Sequence, residues 1–283
     1  MSKIIDGKKV SAFVKENIKN EVKNLKERGI GVGLAVILVG EDPASKIYVA
    51  NKKKACEDLG IVSMEYLLPE NTTTDELLSL IDTLNNEKTV NGILCQLPLP
   101  KGIDEKTVLN AISPEKDVDA FHPVNVGKIM IGDYDFVPCT PAGIMEMLKY
   151  YDIQIESKTC VVIGRSNIVG KPMSMLLMHA NGTVTTCHSR TNNLSDITSR
   201  ADILVSSVGK ANFVTADMVK EGAVVIDVGM NRNDGKLCGD VVFEEVSKKA
   251  SYITPVPGGV GPMTIAMLMK NTLTAAKRQN NLI

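Results

Sequence analysis

The segment ASKIYVANKKKACEDLG, residues 44–60, carries three consecutive lysines inside a helical pattern. On a helix each residue advances about 100°, so positions i, i+4, i+7, i+8 and i+11 share one stripe. Counted from Tyr48, that stripe is Tyr48, Lys52, Ala55, Cys56 and Leu59. Lys52 therefore falls among residues expected to face the interior, whereas Lys53 and Lys54 turn away beside Glu57 and Asp58 and read as solvated charges. An inward lysine either snorkels its ammonium to water or, desolvated, becomes a neutral amine able to act as a base near neutral pH. Tyr48, one turn earlier, offers a ring for stacking on a flat ligand. Downstream, GILCQLPLP sets Gln96 just before Pro98 and Pro100. An amide at the carboxyl end of a parallel strand either faces a ligand or caps the strand. Asp119, in EKDVDAF, is a carboxylate that can take paired N–H bonds from a heterocycle with an amidine-like edge, or a surface acid.

A second group of residues suits a dinucleotide. TCVVIGRSNIVGKPMSMLLMHANG puts an apolar run directly before a glycine turn and a helix, the arrangement that aims backbone N–H groups at a pyrophosphate. Its glycine pattern, Gly164 and Gly170 with Ser166 between, departs from G-x-G-x-x-G, and alone it also describes a structural βα turn. The following apolar run, TVTTCHSRT, ends without the carboxylate that would hold a ribose 2′-hydroxyl. It offers Ser189 and Arg190 instead, and Arg165 lies in the turn itself, so NADP is expected over NAD. The run TPVPGGVGPMT, residues 254–264, contains Gly258 and Gly259, which permit close backbone approach to a ligand or make a rigid turn.

These groups need a scaffold, and the chain alternates apolar β-rich runs with amphipathic helical patterns, the signature of βα units and parallel sheet. Strands are expected at 33–39, 62–68, 92–98, 159–164, 183–187, 202–208, 223–229 and 252–256, and helices at 10–28, 43–59 and 75–85. Between about 113 and 143 a Pro-, Gly- and Asp-rich stretch lacks periodicity and reads as a boundary loop between two α/β domains. A length of 283 residues suits two domains. With 32 Lys plus Arg against 33 Asp plus Glu, no charge excess points to nucleic acid or a membrane surface. The first ten residues lack a signal-peptide core and no window is apolar enough to span a bilayer, so a soluble cytoplasmic protein is expected. Six scattered cysteines and three unpaired histidines support neither a disulfide framework nor a metal site.

Seven segments, VGEDPASKIYVANKKKACEDLGI, GILCQLPLP, PEKDVDAFHPVNVG, PCTPAG, VVIGRSNIVGKPM, TVTTCHS and ITPVPGGVGPMT, together resemble the bifunctional methylenetetrahydrofolate dehydrogenase/cyclohydrolase family, in family order from residue 39 to 264. The resemblance implies two α/β domains flanking a cleft. Residues 1–120 would bind folate, with the helix at about 264–283 packing back onto them, and 140–262 would form a Rossmann-type NADP-binding domain with parallel sheet. It also implies a homodimer acting on tetrahydrofolate one-carbon derivatives. By the same resemblance Tyr48 stacks on the folate, Lys52 is the catalytic group, Gln96 orients it and Asp119 holds the pterin edge. Ser45, Pro257, Gly258 and Gly259 would contact substrate, while Gly164, Arg165, Ser166, Ser189, Arg190 and Met230 would contact the dinucleotide. One departure is visible: Ala120 stands where the family commonly has glycine, a strained choice if that backbone needs positive φ.

The implied chemistry has two stages. Methylenetetrahydrofolate gives hydride to the nicotinamide, which needs orientation alone, and the methenyl cation then takes up water and opens to 10-formyltetrahydrofolate, which needs a proton shuttle. The rival readings are a monofunctional dehydrogenase, a catalytically silent folate- or NADP-binding protein, and a two-domain dehydrogenase of amino or hydroxy acids. The last gives Tyr48, Lys52, Gln96 and Asp119 no joint purpose.

Overall fold

The computed structural model describes residues 2–233 and 235–283. In chain order the elements begin β1 (Lys3–Ile4), α1 (Gly7–Glu27), β2 (Gly33–Val39), α2 (Pro43–Leu59), β3 (Val62–Leu68), α3 (Thr74–Asn86) and β4 (Gly92–Cys95). Next come α4 (Glu105–Ala111), α5 (Pro123–Ile131), α6 (Cys139–Tyr150), β5 (Thr159–Ile163), α7 (Gly170–His179), β6 (Thr183–Cys187), α8 (Leu194–Thr198) and β7 (Ile203–Ser206). The chain closes with β8 (Val224–Asp227), β9 (Asn231–Asn233), β10 (Lys236–Cys238), α9 (Phe243–Val246), β11 (Tyr252–Ile253) and α10 (Val260–Gln279). It divides into two compact units, the first Phe13–Cys139 with Ile265–Ile283 and the second Met1–Ala12 with Thr140–Thr264.

The first unit is built on a parallel sheet ordered β3-β2-β4. β2, GLAVILV, is buried at every position, which is why it reads as an unbroken apolar run instead of an alternating one. Ala35, Ile37 and Val39 on β2 pack with Leu77 and Ile81 of α3 and with Ile93 of β4. Full burial of each such aliphatic side chain contributes about 1.5–3 kcal/mol. Local signals set the helix ends. Asp42 accepts the Ser45 N–H at 2.7 Å with Pro43 in the first turn, and Gly60, at φ 76, closes α2 in the left-handed region. Thr73 and Glu76 form the reciprocal capping box of α3.

The stretch 113–143 is not the continuous loop its composition suggests, because α5 occupies nine residues of it. His122 accepts the Val124 N–H on its ring Nδ1 at 3.1 Å, Pro123 starts the helix, and Gly132 ends it at φ 81. Gly127 and the flanking prolines hid the period. Before this helix the chain runs beside β4, with the Ile93 N–H donating to the Lys116 carbonyl at 2.7 Å and a parallel bridge between Ile93 and Asp117. Gly92 admits this approach, since a Cβ there would meet a Val118 methyl at 2.6 Å.

The second unit carries an all-parallel sheet ordered β1-β11-β8-β7-β5-β6. From β5 the chain moves outward to β6, then crosses back to β7 and onward, so the winding reverses between β5 and β7. Open α/β sheets bind ligands at such a switch point, at the carboxyl ends of the strands. The amino-terminal stretch up to Ala12, expected with the first unit, clusters by contact with this second one. β1 pairs with β11 at the far edge of this sheet, and the Gly7 N–H donates to the Gly258 carbonyl at 3.0 Å. The two-residue β1 and the antiparallel β9–β10 hairpin have no counterpart among the expected strands. Among the described residues no helix is long and apolar enough to cross a membrane.

In the first unit α10 contributes Asn271, a buried amide that donates to the carbonyls of Val118 at 2.8 Å and Val137 at 2.9 Å. Asn271→Ala leaves the Val137 carbonyl without that donor and the Val118 carbonyl with only the Cys139 thiol at 3.7 Å. At about 1–3 kcal/mol per buried group left unpaired, the variant is expected to lose about 3 kcal/mol, read as a lower thermal midpoint in calorimetry. An unchanged midpoint would refute this account of the helix docking.

Candidate active site

In the first unit, helical phase delivers Lys52 inward. It is half-buried, whereas Lys53 and Lys54 are exposed and Lys53 pairs with Glu65 of β3 at 3.0 Å. The Lys52 ammonium nitrogen donates to Gln96 Oε1 at 2.8 Å. Gln96 follows β4 directly, and its Nε2 donates to the Leu97 carbonyl at 2.7 Å, which turns the amide oxygen toward the lysine. Its own N–H donates to the Ile37 carbonyl at 2.8 Å, anchoring it to β2. Tyr48, one turn before Lys52, is 40% exposed, and Ser45 is buried in the first turn of α2.

Asp119 reaches this group from the segment beside β4. Burial raises its carboxyl to about 6, with the Lys52 charge opposing and the neighbouring Asp117 reinforcing the shift. Burial likewise holds the Lys52 amine below the ordinary ammonium range, while the Asp119 carboxylate and then Cys139 pull it back up. Cys139 stands 3.7 Å from Asp119 Oδ1, and its thiol is pushed well above its ordinary range, by burial first and Asp119 second. A thiol held protonated carries no charge, so Asp119 is the counter-charge that matters to Lys52. Ala120 does adopt φ 59, so the expected positive φ is present. Asp117 braces the turn by accepting the His122 N–H at 2.8 Å and the Asn125 amide at 2.9 Å. Asn271, Asp117 and Cys139 were not singled out from the sequence as functional positions. A second aspartate two residues before Asp119 and the cysteine of PCTPAG were the available signals.

In the second unit the glycine turn follows β5 at the switch point. Gly164 has φ 127, and a Cβ there would stand 2.4 Å from Ser207 Oγ. A Cβ on Gly170 would stand 2.3 Å from the Gly164 carbonyl oxygen. Neither position admits a side chain, which leaves bare backbone at the start of α7 and fits a pyrophosphate. Ser166 Oγ accepts the N–H groups of Val169 at 3.1 Å and Gly170 at 3.3 Å and keeps its own O–H to donate. Arg165 is exposed in this turn, and Ser189 and Arg190 are exposed just past the neighbouring β6. Met230, beyond β8, is 53% exposed. Pro257, Gly258 and Gly259 also lie in this unit. The glycine requirement there arises from packing within the chain: a Gly7 Cβ would meet the Gly259 carbonyl oxygen at 1.7 Å, and a Gly259 Cβ would meet the Pro255 oxygen at 2.5 Å.

One unit thus holds a desolvated amine, an amide and a raised carboxylate, and the other a glycine turn ringed by hydroxyl and guanidinium donors, as in a two-domain dinucleotide enzyme. Residues 5–119 match the catalytic domain, and residues 138–280 the NAD(P)-binding domain, of tetrahydrofolate dehydrogenase/cyclohydrolase. The "Bifunctional protein FolD" of Acetivibrio thermocellus is 62% identical over 279 residues, covering 98% of each chain. A Campylobacter jejuni bifunctional FolD methylenetetrahydrofolate dehydrogenase/cyclohydrolase crystal structure superposes with a TM-score of 0.96 at 54% identity, over 98% of this chain and 99% of that one. The Trypanosoma brucei methylenetetrahydrofolate dehydrogenase-cyclohydrolase, solved with NADP cofactor and inhibitor, gives 0.93 at 41% identity over 98% of each chain. The chain belongs to the tetrahydrofolate dehydrogenase/cyclohydrolase family.

Asp119→Asn removes the carboxylate that supports the charge on Lys52, so the lysine pKa falls further. A lower pKa moves the neutral amine to lower pH. The Lys52 titration, followed by NMR of its labelled ammonium nitrogen, is expected to shift toward acid in the variant, and an unmoved or alkaline-shifted curve contradicts the assigned coupling.

Proposed function

We propose that this chain oxidises 5,10-methylenetetrahydrofolate to 5,10-methenyltetrahydrofolate with NADP and hydrolyses that product to 10-formyltetrahydrofolate. The observation that carries the reading is the half-buried Lys52 amine, hydrogen-bonded to Gln96 at 2.8 Å and electrostatically coupled to the half-buried Asp119. NADP, when bound at the Gly164 turn, supplies the hydride acceptor. Arg165 and Arg190 offer planar guanidinium donors for the 2′-phosphate, Ser166 and Ser189 offer hydroxyls, and Met230 flanks the site. We assign folate binding to the first unit, with Tyr48 stacking on the pterin and Asp119 accepting N–H bonds from its edge. Ser45 and the Pro257–Gly259 turn complete the substrate contacts in this reading.

Oxidation asks of the protein only orientation and the exclusion of water. Hydrolysis asks for more. Water adding to the methenyl carbon must lose a proton, and a ring nitrogen must gain one as the carbon–nitrogen bond breaks. Neutral Lys52 takes the first proton on Nζ and delivers it to the nitrogen, while Gln96 holds the amine in place through its oxygen. The cationic substrate also disfavours protonated Lys52, in the same direction as burial.

The homodimer is part of this proposal. Among the described strands β3 pairs only with β2, and its free edge exposes Val62 at 57% and Leu67 at 65%. A seven-residue edge strand with one open side is a template for pairing with a second copy. We also assign the protein to the cytoplasm, and its six free cysteines accord with a reducing compartment.

Lys52→Met is expected to slow methenyl hydrolysis about 100-fold or more while sparing much of the NADPH formation from methylenetetrahydrofolate. Hydrolysis near the wild-type rate, followed by loss of methenyl absorbance, overturns the assignment. Light scattering is expected to give a dimer mass for the parent chain and a lower mass for Leu67→Lys; a monomeric parent overturns the dimer.

A further inference from the structure

The loop leaving β7 at the switch point is tied to a single carboxylate. Asp240 is fully buried, and its Oδ2 accepts from Ser206 Oγ at 3.1 Å, the Val208 N–H at 2.8 Å and the Gly209 N–H at 3.3 Å. Its Oδ1 accepts from the Lys210 N–H at 2.9 Å and the Asn231 amide at 2.9 Å. Successive backbone donors at 208, 209 and 210 therefore converge on one acid, which defines the backbone of that loop. On its other side the loop meets the glycine turn. The Ser207 N–H and hydroxyl both donate to the Ile163 carbonyl, at 2.8 and 3.1 Å, and Ser207 Oγ occupies the space a Gly164 side chain would need.

Asp240 is itself held. Asp227, at the end of β8, accepts the Asp240 and Gly229 N–H groups on Oδ1, each at 2.9 Å, and the Val241 N–H on Oδ2 at 3.0 Å. Two glycines fit the two acids reciprocally. A Cβ on Gly229 would stand 2.3 Å from Asp240 Oδ1, and one on Gly239 would stand 1.8 Å from Asp227 Oδ2. Gly229 directly precedes Met230, so the same lock reaches the second loop assigned to the dinucleotide.

We propose that Asp240 is a positioning residue for the dinucleotide: it holds the 206–210 loop and the Met230 loop in their binding conformation beside the Gly164 turn. This rests on the reading of that turn as the NADP site. Preorganisation of this kind removes the ordering entropy that a bound cofactor would otherwise have to overcome, so it acts on affinity and not on hydride transfer at saturation. Asn in place of Asp240 keeps the shape but offers one acceptor oxygen and turns an amide N–H2 toward neighbouring donors.

The test uses the full-length protein as Asp240→Asn and as Ser206→Ala, the latter removing one hydroxyl donor and no backbone partner. NADPH fluorescence titration and the KM for NADP+ are expected to weaken by about tenfold in Asp240→Asn and by a smaller factor in Ser206→Ala. The kcat for oxidation and the rate of methenyl hydrolysis are expected to stay close to parent values. A purely structural anchor predicts the opposite split, both activities falling together with KM unchanged, and that result overturns the proposal. Should Asp240→Asn not fold, Ser206→Ala decides alone, an unchanged KM for NADP+ counting against the role. A parent protein that binds no NADPH sinks the dinucleotide reading itself, whereas normal binding by parent and variants alike sinks only the role of Asp240.

Discussion

A carboxylate removed from water must be met by hydrogen-bond donors, because an unpaired buried charge costs several kcal/mol. Both units build on that constraint. Asp117 in the first is answered by the His122 N–H and the Asn125 amide, and Asp227 in the second by the N–H groups of Gly229, Asp240 and Val241. Each acid is tied to a sheet: Asp227 is the last residue of β8, and Asp117 makes an isolated parallel bridge to Ile93 of β4. Satisfying them draws in backbone from the loops that follow, which are the loops carrying Asp119 and Met230. The sheets set where those loops depart, and the buried acids set the path each takes.

Lys52 and Asp119 show how burial and attraction compete at one site. If their mutual attraction dominated, the lysine would be raised and the aspartate lowered. Instead burial is the larger influence on each, lowering Lys52 and raising Asp119 to about 6, so both shift toward their neutral forms. Each charge still favours the ionised form of the other, against the larger effect of burial. That is the condition a proton shuttle needs: an amine held charged by a strong ion pair could not accept a proton from water, and one wholly unsupported could not retain it.

Much of this was legible because it depends on local period. Helical phase separated Lys52 from Lys53 and Lys54, and an unbroken apolar run identified β2 as covered on both faces. Phase did not show that Lys53 pairs with Glu65, since that contact joins α2 to β3. β1 has two residues and exists only through its pairing with β11, some 250 positions away, a partner no local window contains. α5 escaped because its initiating group is a histidine ring nitrogen, outside the usual capping residues, with Gly127 inside the helix. Asp240 gave least warning. Its donors come from 206–210 and 231, and the one local hint is the glycine before it, whose missing side chain makes room for Asp227.

Ala120 shows what such networks can carry. At φ 59 an alanine pays roughly 1–2 kcal/mol relative to the right-handed region, and glycine would avoid that strain. The alanine methyl is fully buried here, which is favourable, and a glycine would lose more through the freedom of its unfolded chain. Burial and chain entropy offset only part of the strain, so alanine at this φ remains a net cost relative to glycine. What alanine cannot do is choose this conformation by itself; the surroundings must impose it. They do so from both sides, through the Ala120 N–H bonded to the Asp117 carbonyl at 3.1 Å and the Asn271 amide on the Val118 carbonyl at 2.8 Å. Asp119 lies between those two anchors, so its position follows from them and does not depend on which small residue stands at 120.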